Sequence, residues 1–275
     1  MNERLFENLG ERVYEDTLPN GLRIKVVPKR GFARSYAFFA TNYGSMDTRF
    51  RLDGKPYVSP DGVAHYLEHK MFDMPDGNAL QKLSQTGASP NAFTSYNITA
   101  YHFSCTSEFE ANFRTLLRFV SQGYFTQESV EKERGIIAQE IKMYADNPGS
   151  RVDENLFRAM YQHHPIRVPV AGTVESIQDI TAETLQNCHR AFYNPSNMVL
   201  CVVGDVDPQV IRETAMEILP KEPGGASDRD YGEKEPRAPF MHTITQEMEV
   251  SMPMFSVGFK GAEIPRGAQR LRQEI

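Results

Sequence analysis

The sequence predicts an α+β fold in which a sheet packs against helices, and three observations carry that expectation. Leu22, Ile24 and Val26 alternate with Arg23 and Lys25, and Met198 to Val203 runs apolar without a break, the patterns of a half-buried and a fully buried strand. Between them, Phe109, Phe113, Leu116, Leu117 and Val120, and then Val130, Ile137, Ile141 and Tyr144, recur at helical spacing. From Leu219 to Pro239 this periodicity gives way to Pro220, Pro223, Gly224, Gly225 and a run of charges, the composition of a linker.

Taken in order, Asn20-Gly21 marks a turn, so the strand through Ile24 leaves a hairpin, and Tyr36 to Ala40 reads as the next strand. Ser107-x-x-Glu110 has the form of a capping box ahead of the helix through Phe113. Asn147-Pro148-Gly149 stops the helix of residues 128–144, and Asp207-Pro208 opens another after the strand from Met198. These elements place one domain over residues 1–218, a linker over 219–239 and the beginning of a second, similar domain over 240–275, where Met254 to Phe259 reads as a strand. About 36 residues are too few to enclose a core of their own, so the second domain is expected to be truncated.

The composition, 40% hydrophobic and 24% charged over 275 residues, is that of a soluble globular chain. No segment is apolar enough to span a membrane, and Met1 to Gly10 is polar and acidic, so a cytoplasmic location with no membrane partner is expected. A net charge of -6 argues against nucleic acid and favours basic or unstructured peptides. Cys105, Cys188 and Cys201 are odd in number and lack C-x-x-C spacing, so they read as core thiols. His163-His164, ahead of Pro165, reads as an exposed helix end and not as a second metal site.

The chemistry concentrates in His65-Tyr66-Leu67-Glu68-His69. On a helix, His65 and His69 lie about 40° apart and reach one ion. With Val63 at 0°, Glu68, His65 and His69 fall at roughly 140° to 240°, while Ala64, Leu67 and Met71 fall at roughly 40° to 100°, so one face packs and the other coordinates. This is the inverted zinc signature H-x-x-E-H, in which neutral imidazoles bind zinc and the glutamate activates a water. Composition alone produces such a triplet in roughly one chain in a hundred of this length, so a further ligand is required. Residues 128–144 offer two. With Val130 at 0°, Glu133 and Glu140 stack two turns apart at roughly 280° to 300°, on the edge of the apolar stripe. Buried carboxylates need partners. A zinc ion for one with a hydrogen-bonding role for the other would satisfy them, as would salt bridges to a neighbouring Arg or Lys.

His65-x-x-Glu68-His69 with Glu133 and Glu140 resembles the peptidases that include pitrilysin, insulin-degrading enzyme and mitochondrial processing peptidase. Glu68-His69-Lys70-Met71-Phe72 is most similar to a bacterial cytosolic branch. Gly87 to Thr94 followed by Thr99-Ala100-Tyr101, then Gly172 to Ile177, and then Tyr193 to Met198 also match the family's pattern, and the likeness spans most of residues 11–260. The resemblance implies that His65, His69 and Glu140 ligate Zn2+, that Glu68 is the general base and that Glu133 supports the site from behind the ligands. It further implies that Asn91, Ala92, Phe93 and Thr94 bind substrate along an edge strand. The implied function is a zinc-dependent endopeptidase cleaving peptides or small unfolded proteins, with a partner domain or subunit closing a chamber. The alternatives are a non-catalytic peptide-binding or scaffold subunit of a peptidase complex, and a zinc hydrolase acting on a non-peptide substrate.

Overall fold

The computed structural model describes residues 1–224 and 228–261. In chain order its strands and helices are β1 (Asn2–Phe6), β2 (Glu11–Thr17), β3 (Arg23–Pro28), β4 (Ser35–Thr41), β5 (Arg49–Leu52), β6 (Lys55–Val58), α1 (Val63–Lys70), β7 (Asp73–Met74), β8 (Gly77–Asn78), α2 (Ala79–Gln85), β9 (Ser89–Thr94), β10 (Thr99–Cys105), α3 (Phe109–Ser121), α4 (Gln127–Ala145), α5 (Pro148–Met160), α6 (Ala182–Phe192), β11 (Met198–Gly204) and α7 (Pro208–Ile218). The fold is α+β. Seven strands form one mixed sheet in the order β1-β2-β3-β11-β4-β10-β9. The apolar strand β11 inserts between β3, which it meets in parallel, and β4, which it meets antiparallel. β5 with β6 and β7 with β8 make two small hairpins outside the sheet.

The predicted period-two strand is β3. The turn before it closes through Leu18 and Gly21, and the Asn20 carboxamide oxygen accepts from Leu22 N–H. Ile24 and Val26 of β3, Ala37 and Phe39 of β4, Tyr101 and Phe103 of β10, and Leu200 and Val202 of β11 point to one face and are buried. Helices cover that face. Phe113, Leu116, Leu117 and Val120 of α3, Leu185 and Phe192 of α6, and Ile211 of α7 join the strands in one hydrophobic cluster. Each large apolar side chain removed from water there contributes about 1.5–3 kcal/mol before conformational entropy is subtracted.

Two local expectations need correction and a third, the stop at Asn147-Pro148, is met and extended. Ser107 does not cap α3, because Glu108 stands one residue before the helix in the left-handed region (φ 53°) and no side chain bonds the helix start. Asn147 and Pro148 end α4 but also open α5, Asn147 accepting from Ser150 N–H with Pro148 in the first turn. Met254 to Phe259 does not form a strand, since among the described residues no neighbouring strand offers it a ladder. That stretch lies in the region running back along α5, where Met241 N–H bonds the Ala159 carbonyl and Gln246 meets Arg151 and Asn155. The linker-like stretch before it carries no helix or strand among its described residues. It is pinned at Arg229 and Tyr231, which both bond Asp47, at 2.8 and 2.9 Å. Among the described residues, no helix is long and apolar enough to cross a membrane.

Candidate metal centre

Helix α1 is short and held on every side. Val63, Ala64, Tyr66, Leu67 and Met71 are buried in the core, and the Tyr66 hydroxyl donates to the Val130 carbonyl of α4, which fixes how the two helices cross. At its start, Gly62 has φ 90°, and any Cβ there would overlap the Ala171 carbonyl. Gly172, at φ 73°, presses equally closely on the Asp61 carbonyl, and Ser176 Oγ donates to that carbonyl at 2.9 Å. Two glycines in the left-handed region thus let residues 169–175 lie directly against the first turn of α1.

That crossing brings His65 and His69 of α1 to Glu140 of α4. His65 Nε2 lies 3.6 Å from Glu140 Oε1 and His69 Nε2 lies 3.3 Å from Glu140 Oε2, with the two imidazole centroids 4.7 Å apart. One donor atom from each of the three lies within 4.8 Å of the others, the only such group of histidine, cysteine or carboxylate ligands among the described residues. Bonds of about 2.0–2.2 Å to a tetrahedral zinc ion require ligand separations near 3.4 Å, so small side-chain shifts suffice. Glu133, two turns before Glu140, meets the other nitrogen of His69, Nδ1, at 3.0 Å. This leaves Nε2 directed at the centre, the arrangement in which a carboxylate orients a metal-binding imidazole.

The charges fit a cation. Burial would push the His69 imidazolium down, but the hydrogen bond to Glu133 and the charges of Glu140 and Glu68 outweigh it and hold His69 above its ordinary value. The His65 imidazole beside Glu140, against the cost of burial, and the Tyr144 hydrogen bond hold Glu140 down at about 2, while the hydrogen bond to His69 lowers Glu133. The carboxylates around His69 thus favour positive charge at this point. A divalent ion would supply it at the same place.

Glu68 is buried beside the ligands and coordinates nothing in this arrangement. Its Oε2 accepts from the Thr94 hydroxyl at 2.6 Å. Thr94 ends β9, the edge strand, which pairs only with β10 among the described strands, in the register Ala92↔Tyr101 and Thr94↔Thr99. A cavity of about 590 Å³ opens over the cluster, lined by His65, Glu68, His69 and Glu140, by Ala92, Phe93 and Thr94 of β9, by residues of α4 and α5, and by residues 169–175. Of the four residues expected to bind substrate, Asn91 is not in this lining. It is exposed, and its Oδ1 accepts from Ala92 N–H. Sequence reasoning missed Tyr144, which lines the cavity and donates to Glu140 Oε1 at 2.8 Å, although its spacing of four residues from Glu140 was a usable signal. It also missed Lys70, whose burial no sequence spacing announces.

The sequence profile described as "Insulinase (Peptidase family M16)" matches residues 57–174, which hold all five residues of the cluster, and "Peptidase M16 inactive domain" matches residues 179–272. The chain belongs to the insulinase family, M16. Its relatives include the uncharacterized zinc protease YmfH of Bacillus subtilis, 45% identical over 98% of this chain and 64% of that one. A second is the uncharacterized zinc protease YmxG of the same organism, 27% identical over 77% of this chain and 52% of that one. The crystal structure of a putative M16-like peptidase from Alicyclobacillus acidocaldarius superposes with a TM-score of 0.79 at 44% identity, covering 84% of this chain and 55% of that one. The chain thus spans 64% or less of the length of these three proteins.

Proposed function

We propose that this chain carries the catalytic zinc site of an endopeptidase that cleaves peptides or small unfolded proteins. The observation that carries the reading is the convergence of His65, His69 and Glu140 on one point, with Glu68 beside them in a cavity bordered by a free strand edge. Zinc proteases among the relatives support the choice of metal. His65, His69 and Glu140 would hold the ion, and Glu133 would keep His69 in the tautomer with Nε2 free. A zinc ion there would supply Lewis acidity, polarising the scissile carbonyl and making water a stronger acid. Glu68 takes the proton of the attacking water and passes it to the leaving amine, and the Thr94 hydroxyl keeps its carboxylate turned towards the cavity.

The outer edge of β9 offers main-chain groups to an extended peptide, with Ala92, Phe93 and Thr94 bordering the reacting bond. Main-chain pairing tolerates varied side chains, which suits an enzyme acting on unfolded segments. We further propose that residues 1–218 form the zinc domain and 219–239 a linker. In this reading residues 240–275, of which 262–275 lie outside the described residues, begin a second domain, which in the longer protein closes the chamber over the site. The alternative, a non-catalytic peptide-binding subunit, has one observation in its favour, the inactive-domain match over residues 179–272. That match begins downstream of every site residue, so it bears on the second part of the chain and not on the cluster. The test is zinc content together with peptide cleavage, measured on the chain extended to the length of its relatives. Stoichiometric zinc with chelator-sensitive cleavage supports the reading, and stoichiometric zinc without cleavage supports the alternative.

A further inference from the structure

Lys70 is the most deeply buried cation of the described chain, 2% exposed, and the reaction outlined above does not use it. An ammonium ion taken out of water costs several kcal/mol unless carboxylates surround it, so its partners show what it is for. There are two. Its Nζ donates to Asp73 of the β7–β8 hairpin, and it lies 3.9 Å from Glu133 Oε2 on α4. Glu133 therefore divides its oxygens, Oε1 lying 3.0 Å from His69 Nδ1 and Oε2 facing Lys70. Asp73 is a third exposed and can be satisfied by water alone. Glu133 is more enclosed, and among the described residues Lys70 is the one lysine or arginine paired with its second oxygen.

We propose that Lys70 is a positioning residue for the metal centre, holding the Glu133 carboxylate in the orientation that directs His69 Nε2 at the ion. The proposal rests on the reading of His65, His69 and Glu140 as zinc ligands. Loss of a group that touches a ligand typically weakens metal binding about 10- to 100-fold. Lys70 acts one contact further out, and removing its positive charge also relieves some repulsion of the ion. The expected loss is therefore smaller, about three- to tenfold.

The experiment is a zinc affinity series on this chain by competition with a chromophoric chelator. Its members are wild type, Lys70→Met, Glu133→Gln, the double variant and Asp73→Asn, with folding of each followed by circular dichroism. Lys70→Met should weaken zinc about three- to tenfold in the wild-type background and by less than about twofold once Glu133 is Gln, because the path through Glu133 is then already broken. Asp73→Asn should leave affinity within about twofold. In the cobalt-substituted protein, Lys70→Met should shift the visible ligand-field bands, which a packing defect away from the metal would not do. Unchanged affinity in folded Lys70→Met overturns the proposal, and so does an equal loss in both Glu133 backgrounds. If Lys70→Met does not fold, Lys70→Gln, which keeps a donor, takes its place under the same criteria. Wild-type protein that binds no zinc would overturn the ligand assignment itself, an outcome distinct from zinc-binding wild type with an indifferent Lys70.

Discussion

Two pairs of histidines in this chain have opposite fates. His65 and His69 stand one turn apart on a helix, face carboxylates from a second helix and border a cavity. His163 and His164 are adjacent just beyond the end of α5, where their backbone N–H groups, with that of Gln162, are collected by Glu235. His164 spends its Nδ1 on capping the next turn, accepting from Ile166 N–H at 3.2 Å. Two imidazoles do not make a site. Helical spacing aims two nitrogens at one point, and the second helix supplies the negative charge that makes the point attractive to a cation. His189 gives a third case, a solitary imidazole buried against Phe125 and Tyr193.

The largest expected effect separates the two pairs outright. His69→Ala should empty the zinc site, while zinc content should stay at one ion per chain when His163 and His164 are both replaced by Ala. Tight stoichiometric zinc in His69→Ala, measured by elemental analysis, would break the comparison.

The solitary histidine is next. Burial pushes His189 down to about 4, with only the Val120 carbonyl acting the other way, whereas the unfolded chain takes up its proton near the ordinary imidazole value. Its contribution is therefore complete above about pH 6.5, declines as pH falls towards 4, and amounts to about 3 kcal/mol at full loss. Denaturant titrations of the metal-free chain should show a smaller decline over that window in His189→Gln than in wild type. Parallel pH curves would mean that His189 is not held neutral by the fold.

A smaller effect sharpens the role of the surrounding carboxylates. Glu133→Gln should weaken zinc about 10- to 100-fold without abolishing it if, as proposed, it orients His69 and does not itself ligate. If Glu133→Gln emptied the site while Glu140→Gln left it intact, the two roles would have to be exchanged. Smallest of all, Tyr144→Phe should weaken zinc by a few-fold, since it removes one hydrogen bond to a ligand oxygen worth about 1 kcal/mol. An affinity unchanged by that substitution would show that Glu140 needs no help from its own helix.

The packed positions Val130 and Ile137 of α4 were legible in the sequence because they obey a single period, whereas α1, expected to pack on one face, is buried all round, Tyr66 and Lys70 included. The choice between Glu133 and Glu140 was not legible from spacing. Both lie on one edge of α4, and which one reaches the histidines depends on the crossing fixed by Tyr66 and Val130. Lys70 escaped notice for a similar reason, since a lysine ending a short helix reads as solvated until α4 and the β7–β8 hairpin close over it. The capping box failed on a backbone angle at Glu108 that sequence does not encode visibly. The strand expected at Met254 to Phe259 failed because β-propensity needs a partner strand, which none of the described residues supplies.

The central claim is that Glu68 performs proton transfer and not coordination, and Glu68→Gln tests it most directly. In the chain extended to the length of its relatives, the variant should keep the fold and its full zinc complement while peptide cleavage falls at least about 10²-fold, the lower range of general-base catalysis. Wild-type cleavage rates in zinc-loaded Glu68→Gln would contradict the account.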